Sequence, residues 1–217
     1  MSLSISPPAV PARRLCCPLC LRAASACICR WITPLASQAT LLVLQHPLEV
    51  RNAKNSARLL HLCLDGSQLE VDEAFDPAAL DAMLHAGGRR PLLLYPDTPA
   101  DATLGIAPPP ALAPELLRDP GRLCLVVLDA TWRKSRKMLY LNPALQRLPR
   151  LALRDVPPSA YRIRKAHAPH QLSTLEAAAH ALAQLESDPL RYQSLLAAFD
   201  GFVQQQAAQV QGASPAR

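Results

Sequence analysis

The stretch Leu123-Cys-Leu-Val-Val-Leu-Asp-Ala-Thr-Trp-Arg-Lys-Ser-Arg-Lys137 decides how this chain is read. An apolar run rich in Val and Leu stops at Asp129. Thr131 and Trp132 follow, and four cations, Arg133, Lys134, Arg136 and Lys137, fall within five residues. A continuous apolar run of this length predicts a strand buried on both faces, the pattern of a parallel sheet. Such sheets place ligand sites in the loops beyond the carboxyl ends of their strands. Thr131 is positioned to N-cap a helix over 132–140. One carboxylate, one large aromatic and a basic helix face are therefore expected together at a candidate active edge. The plainer alternative makes Asp129 a turn residue and Trp132 part of the core.

The pattern repeats on both sides of this stretch. Thr40 to Gln45 reads as a strand ended by His46-Pro47, and Glu49 to Leu64 as a helix with Ala53, Ala57, Leu60 and Leu64 on its apolar side. Leu69 to Val71 is a second short strand, and Asp76 with Pro77 opens a helix to His85. Leu92 to Tyr95 is a strand stopped by Pro96. Residues 97–120 are proline-rich and irregular, with a short helix near Glu115. Asn142-Pro143 opens a helical turn, Leu151 to Leu153 a short strand, and Asp188-Pro189 a last helix to Gln206. Ser173 to Glu186 is the strongest helix, because Ser173 and Glu176 form a capping box. Strands alternating with helices predict an α/β fold, a mostly parallel sheet flanked by helices. The expected organisation is a disordered N-terminus over 1–14, a cysteine-rich knuckle over 15–33, an α/β domain over 38–203 and a frayed tail over 204–217.

Composition fits one such domain with a small appendage. The chain has 217 residues, half of them hydrophobic, a formal charge of +6 and a pI of about 9.1. The basic excess favours a polyanionic partner, and it is concentrated at 133–137, 147–154 and 162–165. No apolar run approaches a membrane span, and Met1 to Pro11 lacks a basic-then-apolar leader pattern, so a cytoplasmic protein is expected. There is no GxGxxG, Walker A, GxSxG or HExxH pattern, which counts against the usual dinucleotide, nucleoside-triphosphate, serine-hydrolase and zinc-protease enzymes.

Cys17-x-x-Cys20 and Cys27-x-Cys29 place four thiols within thirteen residues. Two close pairs can chelate a tetrahedral Zn²⁺ from opposite sides. Four thiolates leave no open position, so the ion would be structural. Cys16 is a fifth thiol nearby and leaves the first ligand open. Cys63 and Cys124 sit in apolar contexts and read as core. Three further polar groups belong to the reading. His46-Pro-Leu-Glu49 follows the first strand, with Asn55-Ser56 beyond it. Tyr161-Arg-Ile-Arg-Lys165 is either an edge strand, a phosphate-gripping loop or a solvated charge run. Thr174 and Glu176 are explained by helix capping alone.

Taken in order, the paired cysteines, His46-Pro-x-Glu49, Leu-Tyr95-Pro96, Asp129-x-Thr-Trp132, Tyr161-x-x-Arg-Lys165 and Ser173-Thr-x-Glu-Ala177 resemble the DTW-domain family, over roughly residues 16–200. The sequence departs from the family at Ala130, where many members carry Gly, and at Asn55-Ser56, where Asn-Thr is more usual. The resemblance implies a SPOUT-like, knotted α/β fold. It also implies transfer of the 3-amino-3-carboxypropyl group of S-adenosylmethionine to N3 of a tRNA uridine, with release of methylthioadenosine. On that basis Asp129, Thr131 and Trp132 are the expected catalytic residues, with Asp129 as orienter and proton acceptor together. Tyr95, Pro96, Asp129, Arg164, Ser173 and Thr174 are expected at the cofactor. Arg133, Lys134, Arg136, Lys137, Arg162 and Lys165 are expected on tRNA, and His46, Glu49, Asn55 and Tyr161 complete the candidate site. Trp132 stays open between stacking on a base and packing in the core, and monomer and homodimer are both open. The competing readings are a zinc-bearing RNA-binding module without catalysis, the same transfer on another RNA, and methyl transfer.

Overall fold

The computed structural model describes residues 15–97, 108–159 and 172–212. Five strands, β1 (Thr40–Gln45), β2 (Gln68–Val71), β3 (Arg90–Leu94), β4 (Leu123–Asp129) and β5 (Arg150–Leu151), form one sheet in the order β2-β1-β4-β3-β5. Every neighbouring pair is parallel. All five carboxyl ends therefore lie along one edge. β1 and β4 sit centrally in direct register, Gln45 opposite Asp129, and the His46 N–H extends the pairing to the Asp129 carbonyl at 3.0 Å. The connection after β1 runs outward to β2, whereas the chain beyond β4 runs past β3 to β5. The strand order thus switches direction beside Asp129, the crevice where open α/β sheets bind ligands.

Alternation along the strands divides the core in two. Leu41, Val43, Leu125 and Val127 face α1 (Ala57–Cys63), α5 (Thr174–Leu185) and α6 (Gln193–Gly212). Leu42, Leu44, Cys124 and Val126 face α2 (Pro77–Leu84), α3 (Trp132–Leu141) and α4 (Pro143–Gln146). Side chains of a strand point alternately to opposite faces, so two helical layers bury both sets. Cys63 and Cys124 are buried as expected. The Ser173–Glu176 capping box is formed in full, and α5 is the best-terminated helix. Among the described residues no helix is long and apolar enough to cross a membrane.

Four expectations are corrected. The helix read over Glu49 to Leu64 is a 3₁₀ turn at Pro47–Glu49, an irregular loop over 50–56, and the short α1. The last helix starts at Gln193 rather than at Asp188-Pro189. It also continues to Gly212, so 204–212 belong to it rather than to a frayed tail. Gln206 is buried, and the Gln205 side chain accepts from Trp31 Nε1 at 2.6 Å and donates to the Cys27 carbonyl at 3.0 Å. Thr131 holds the N-cap position of α3 in extended backbone, but its side chain makes no capping bond.

Candidate functional site

Asp129 ends β4 only 4 % exposed, with no cation bonded to its carboxylate among the described residues. Neutral donors hold it instead. Oδ2 accepts from Gln45 Nε2 at 2.8 Å and from Asn55 Nδ2 at 2.5 Å, and Oδ1 accepts from the Thr174 hydroxyl at 2.6 Å. A carboxylate offers about four acceptor positions. Among the described residues three are filled, and the fourth belongs to Oδ1. Asn55 is itself fixed, its Oδ1 accepting from the Ala57 N–H at 3.0 Å. Ser56 lies beside it, and its hydroxyl accepts the Leu175 N–H at 3.2 Å, one of the otherwise unpaired donors at the start of α5. A hydroxyl is thus what this position needs, and Ser supplies it as Thr would.

These residues open onto a polar cavity of about 110 Å³ lined by Glu49, Asn52, Lys54, Asn55, Ser56, Asp129, Ala130, Ser173 and Thr174. Glu49 is buried and forms an ion pair with Lys134 at 2.7 Å. Lys134 is therefore committed to a carboxylate of the site.

On the other side of the Lys134–Glu49 bridge lies a wider groove of about 920 Å³, lined by His46, Pro47, Leu48, Glu73 and the exposed face of α3 from Thr131 to Tyr140. Trp132 is 50 % exposed, which excludes it from the core. Its ring stacks on Tyr95 with centroids 5.1 Å apart and planes 14° from parallel. Tyr95 is buried, and the Arg150 guanidinium lies 5.1 Å from its ring centroid. Ser135 donates its hydroxyl proton to the Trp132 carbonyl at 2.9 Å, so Tyr95 is the donor in the 3.1 Å bond between their oxygens. Burial pushes the Tyr95 phenol above its ordinary value, which keeps that proton in place. Tyr95 therefore braces Trp132 from beneath. Pro96 contributes its carbonyl, which accepts from Arg150 at 3.4 Å.

His46 Nδ1 accepts the Leu48 N–H at 3.1 Å, so Nε2 carries the proton donated to Glu73 at 3.0 Å. Glu73 also binds Lys137 at 2.8 Å, and that bond first, then His46, holds its carboxyl below the ordinary range. The expected basic face is therefore not uniform: Lys134 and Lys137 are tied to Glu49 and Glu73, and Arg133 and Arg136 line the same groove. Tyr161, Arg162, Arg164 and Lys165 lie outside the described residues. Gln45, Glu73, Ser135 and Arg150 went unrecognised in the sequence. Nothing local marks them, because their partners come mostly from other elements.

The four expected thiols do converge. The sulfurs of Cys17, Cys20, Cys27 and Cys29 all lie within 4.8 Å of one another, with Cys17–Cys29 at 3.5 Å and Cys20–Cys27 at 3.8 Å. A tetrahedral ion with Zn–S bonds of about 2.3 Å spaces its sulfurs by about 3.8 Å, so the cluster can hold a metal ion. Cys16 is exposed and is not one of the four, which makes Cys17 the first candidate ligand. Backbone N–H groups of Cys20 and then Leu19 pull the Cys17 thiol down to about 6, towards the thiolate a metal requires.

The model of the DTW domain matches residues 14–207. A Drosophila melanogaster protein named tRNA-uridine aminocarboxypropyltransferase 2 is 32% identical over 194 residues, covering 86% of this chain and 72% of that protein. Proteins of the same name from Macaca fascicularis and Mus musculus are 29% and 31% identical over 87% and 85% of this chain. The chain spans 63% and 61% of their lengths, so both carry further sequence. No solved structure matches the chain. The family model extends from the four thiols through Asp129 to α6, and the chain belongs to the DTW-domain family.

Proposed function

We propose that this protein transfers the 3-amino-3-carboxypropyl group of S-adenosylmethionine to N3 of a uridine in tRNA, in the cytoplasm, releasing methylthioadenosine. The observation that carries the reading is the pairing of two unlike sites across one strand end. A buried carboxylate with one acceptor position left faces a polar cavity, and three residues on an exposed, braced tryptophan faces a groove with cationic walls. The cavity suits the amino-acid end of the co-substrate in size, and beside Asp129 its lining offers Lys54 and Glu49, complementary to a carboxylate and an ammonium. The groove suits RNA: Trp132 is a rigid stacking surface for an extruded base, and Arg133 and Arg136 are placed for phosphates.

When bound, the co-substrate supplies a sulfonium-activated carbon. Asp129 orients the uracil ring and accepts the N3 proton at Oδ1 as the new N–C bond forms and the C–S bond breaks. Gln45, Asn55 and Thr174 hold that oxygen pair in place beforehand, so little reorganisation accompanies the step. Ser173 and Thr174 shape the cavity wall. Arg162, Arg164, Lys165 and Tyr161 complete the proposed site. The four-thiol centre holds one structural Zn²⁺ and takes no part in the reaction.

Mass spectrometry of nucleosides from tRNA incubated with protein and S-adenosylmethionine tests this. The expected products are an aminocarboxypropyl-uridine and methylthioadenosine. S-adenosylhomocysteine in their place makes the protein a methyltransferase, and no product with retained tRNA binding makes it a non-catalytic RNA binder.

A further inference from the structure

Arg22 belongs to the cysteine knuckle, yet its guanidinium reaches out of it. Within the knuckle its backbone is pinned, because the Arg22 carbonyl accepts the Cys17 N–H at 2.7 Å. Its side chain crosses to the loop between β1 and α1. Nη1 donates to the Ala53 carbonyl at 2.6 Å and Nη2 to the Asn55 carbonyl at 2.7 Å. The guanidinium also lies 5.0 Å from the ring centroid of Phe202 on α6. A reverse tie runs from Arg58, in the first turn of α1, whose Nη2 donates to the Leu19 carbonyl at 2.6 Å. The loop it grips contains neither helix nor strand over 51–56; its Asn52 and Ser56 carbonyls accept the Asn55 and Leu60 N–H groups, and Arg22 takes the Ala53 and Asn55 carbonyls. That loop ends on Asn55, whose side chain makes the 2.5 Å bond to Asp129.

We infer that Arg22 is a positioning residue: through its two-carbonyl grip on the 53–55 loop it sets Asn55 against Asp129, and so couples the four-thiol centre to the acidic site. The inference rests on the proposed role of Asp129 for its consequence in turnover, but not for its consequence in structure. A planar guanidinium can satisfy two carbonyls two residues apart at once, whereas an ammonium is a single point of charge on a flexible stem. Loss of the grip leaves Asn55 tied to the Asn52 carbonyl, the Ala57 N–H and Gln45, but without the anchor that sets the loop against Asp129, so its bond to Oδ2 lengthens. Displacements of about an ångström at a reacting group cost up to about a hundredfold in rate.

The test uses the full chain with Zn²⁺ bound, in three forms: unaltered, Arg22→Met and Arg22→Lys. Metal content and hydrogen exchange are read alongside turnover. Arg22→Met is expected to keep one metal per chain, to exchange its amides over 50–56 faster while β4 peptides stay protected, and to lose turnover about tenfold or more with KM for S-adenosylmethionine within about twofold. Arg22→Lys, which retains a cation near Phe202, is expected to show the same changes to a lesser degree and serves if the Met form loses metal. Chelation of the unaltered protein should raise exchange over 50–56, and in Arg22→Met it should add little there. Unaltered exchange over 50–56 in both metal-bound variants overturns the inference, as does unaltered turnover beside faster exchange. If the unaltered protein shows no transfer at all, the functional reading fails while the exchange result still decides the coupling.

Discussion

Asp129 is a carboxylate held by neutral donors, and the way it is held makes its replacement by Asn informative. In Asp129→Asn the amide oxygen can accept from Gln45 and Asn55, and the new NH₂ can donate to the Thr174 hydroxyl, which turns to accept. Fold and S-adenosylmethionine affinity are therefore expected to survive, with a melting temperature within about two degrees of the unaltered protein, while transfer falls by about a hundredfold or more. Calorimetry with the co-substrate beside single-turnover product formation checks this, and unchanged turnover removes Asp129 from the mechanism. Asp129→Ala is different: it strands three buried donors and costs about 3 kcal/mol or more of stability. The sequence pointed to Asp129 because an apolar run ends there. It could not supply the partners, which lie 84, 74 and 45 residues away and become neighbours only through the sheet order and the placement of α5. Thr174 shows the limit well: its place at a helix start is fully explained by capping, yet Ser173 does the capping and Thr174 turns to Asp129.

Elements show the same division between local pattern and tertiary pairing. Strands and capped helices were legible because burial on two faces and a capping box are written in consecutive residues. The helix expected over Glu49 to Leu64 was not broken by its apolar spacing, which continues through Ala53 and Ala57. Asn52 and Asn55 break it by accepting the N–H groups of Lys54 and Ala57, a local alternative to helical bonds. On α3 the four cations look equivalent in sequence, but the ion pairs predict unequal behaviour. Arg133→Gln should weaken tRNA binding and lower its salt slope by about 0.7–0.9 for each phosphate left without its cation. Lys134→Gln should instead remove the 2.7 Å ion pair of buried Glu49 and lower the melting temperature. Equal salt slopes in the two variants would remove this distinction. α5 carries a second test. Burial lowers the His180 pKa from 6.5, against a smaller opposing effect of Glu176. The unfolded chain therefore takes up this proton first. Stability is unaffected above about pH 6.5, falls as pH drops through that value, and levels off below the folded pKa. His180→Gln should flatten the stability curve between about pH 7.5 and 5.5 in denaturant titrations, while the part due to His61, whose pKa burial also lowers, is kept.

At the scale of the molecule, the two ends of the described chain close on each other, and this was the least legible feature of all. The cysteine segment holds few core residues and the glutamine-rich end looks like a tail, so neither advertises a partner. Together they form a seam in which Ile28 is fully buried and Trp31 lies against α6, hydrogen-bonded to Gln205. Gly201 makes the seam possible, because a Cβ there would overlap the Trp31 ring. This sets two effects of opposite sign against each other in Gly201→Ala. Alanine favours a helix interior over glycine by about 1 kcal/mol. Overpacking against a rigid ring costs about 1–3 kcal/mol, and Trp31 cannot swing clear without losing the Gln205 bond and its stacking with Arg30, whose guanidinium lies 4.7 Å from the ring centroid. The overlap should win: Gly201→Ala is expected to lower the melting temperature by several degrees and to release metal faster to a chelator, since Trp31 follows Cys29 by two residues. A chain stabilised by the substitution, with unchanged metal release, would mean that Trp31 moves freely and that the knuckle does not depend on α6 for its position.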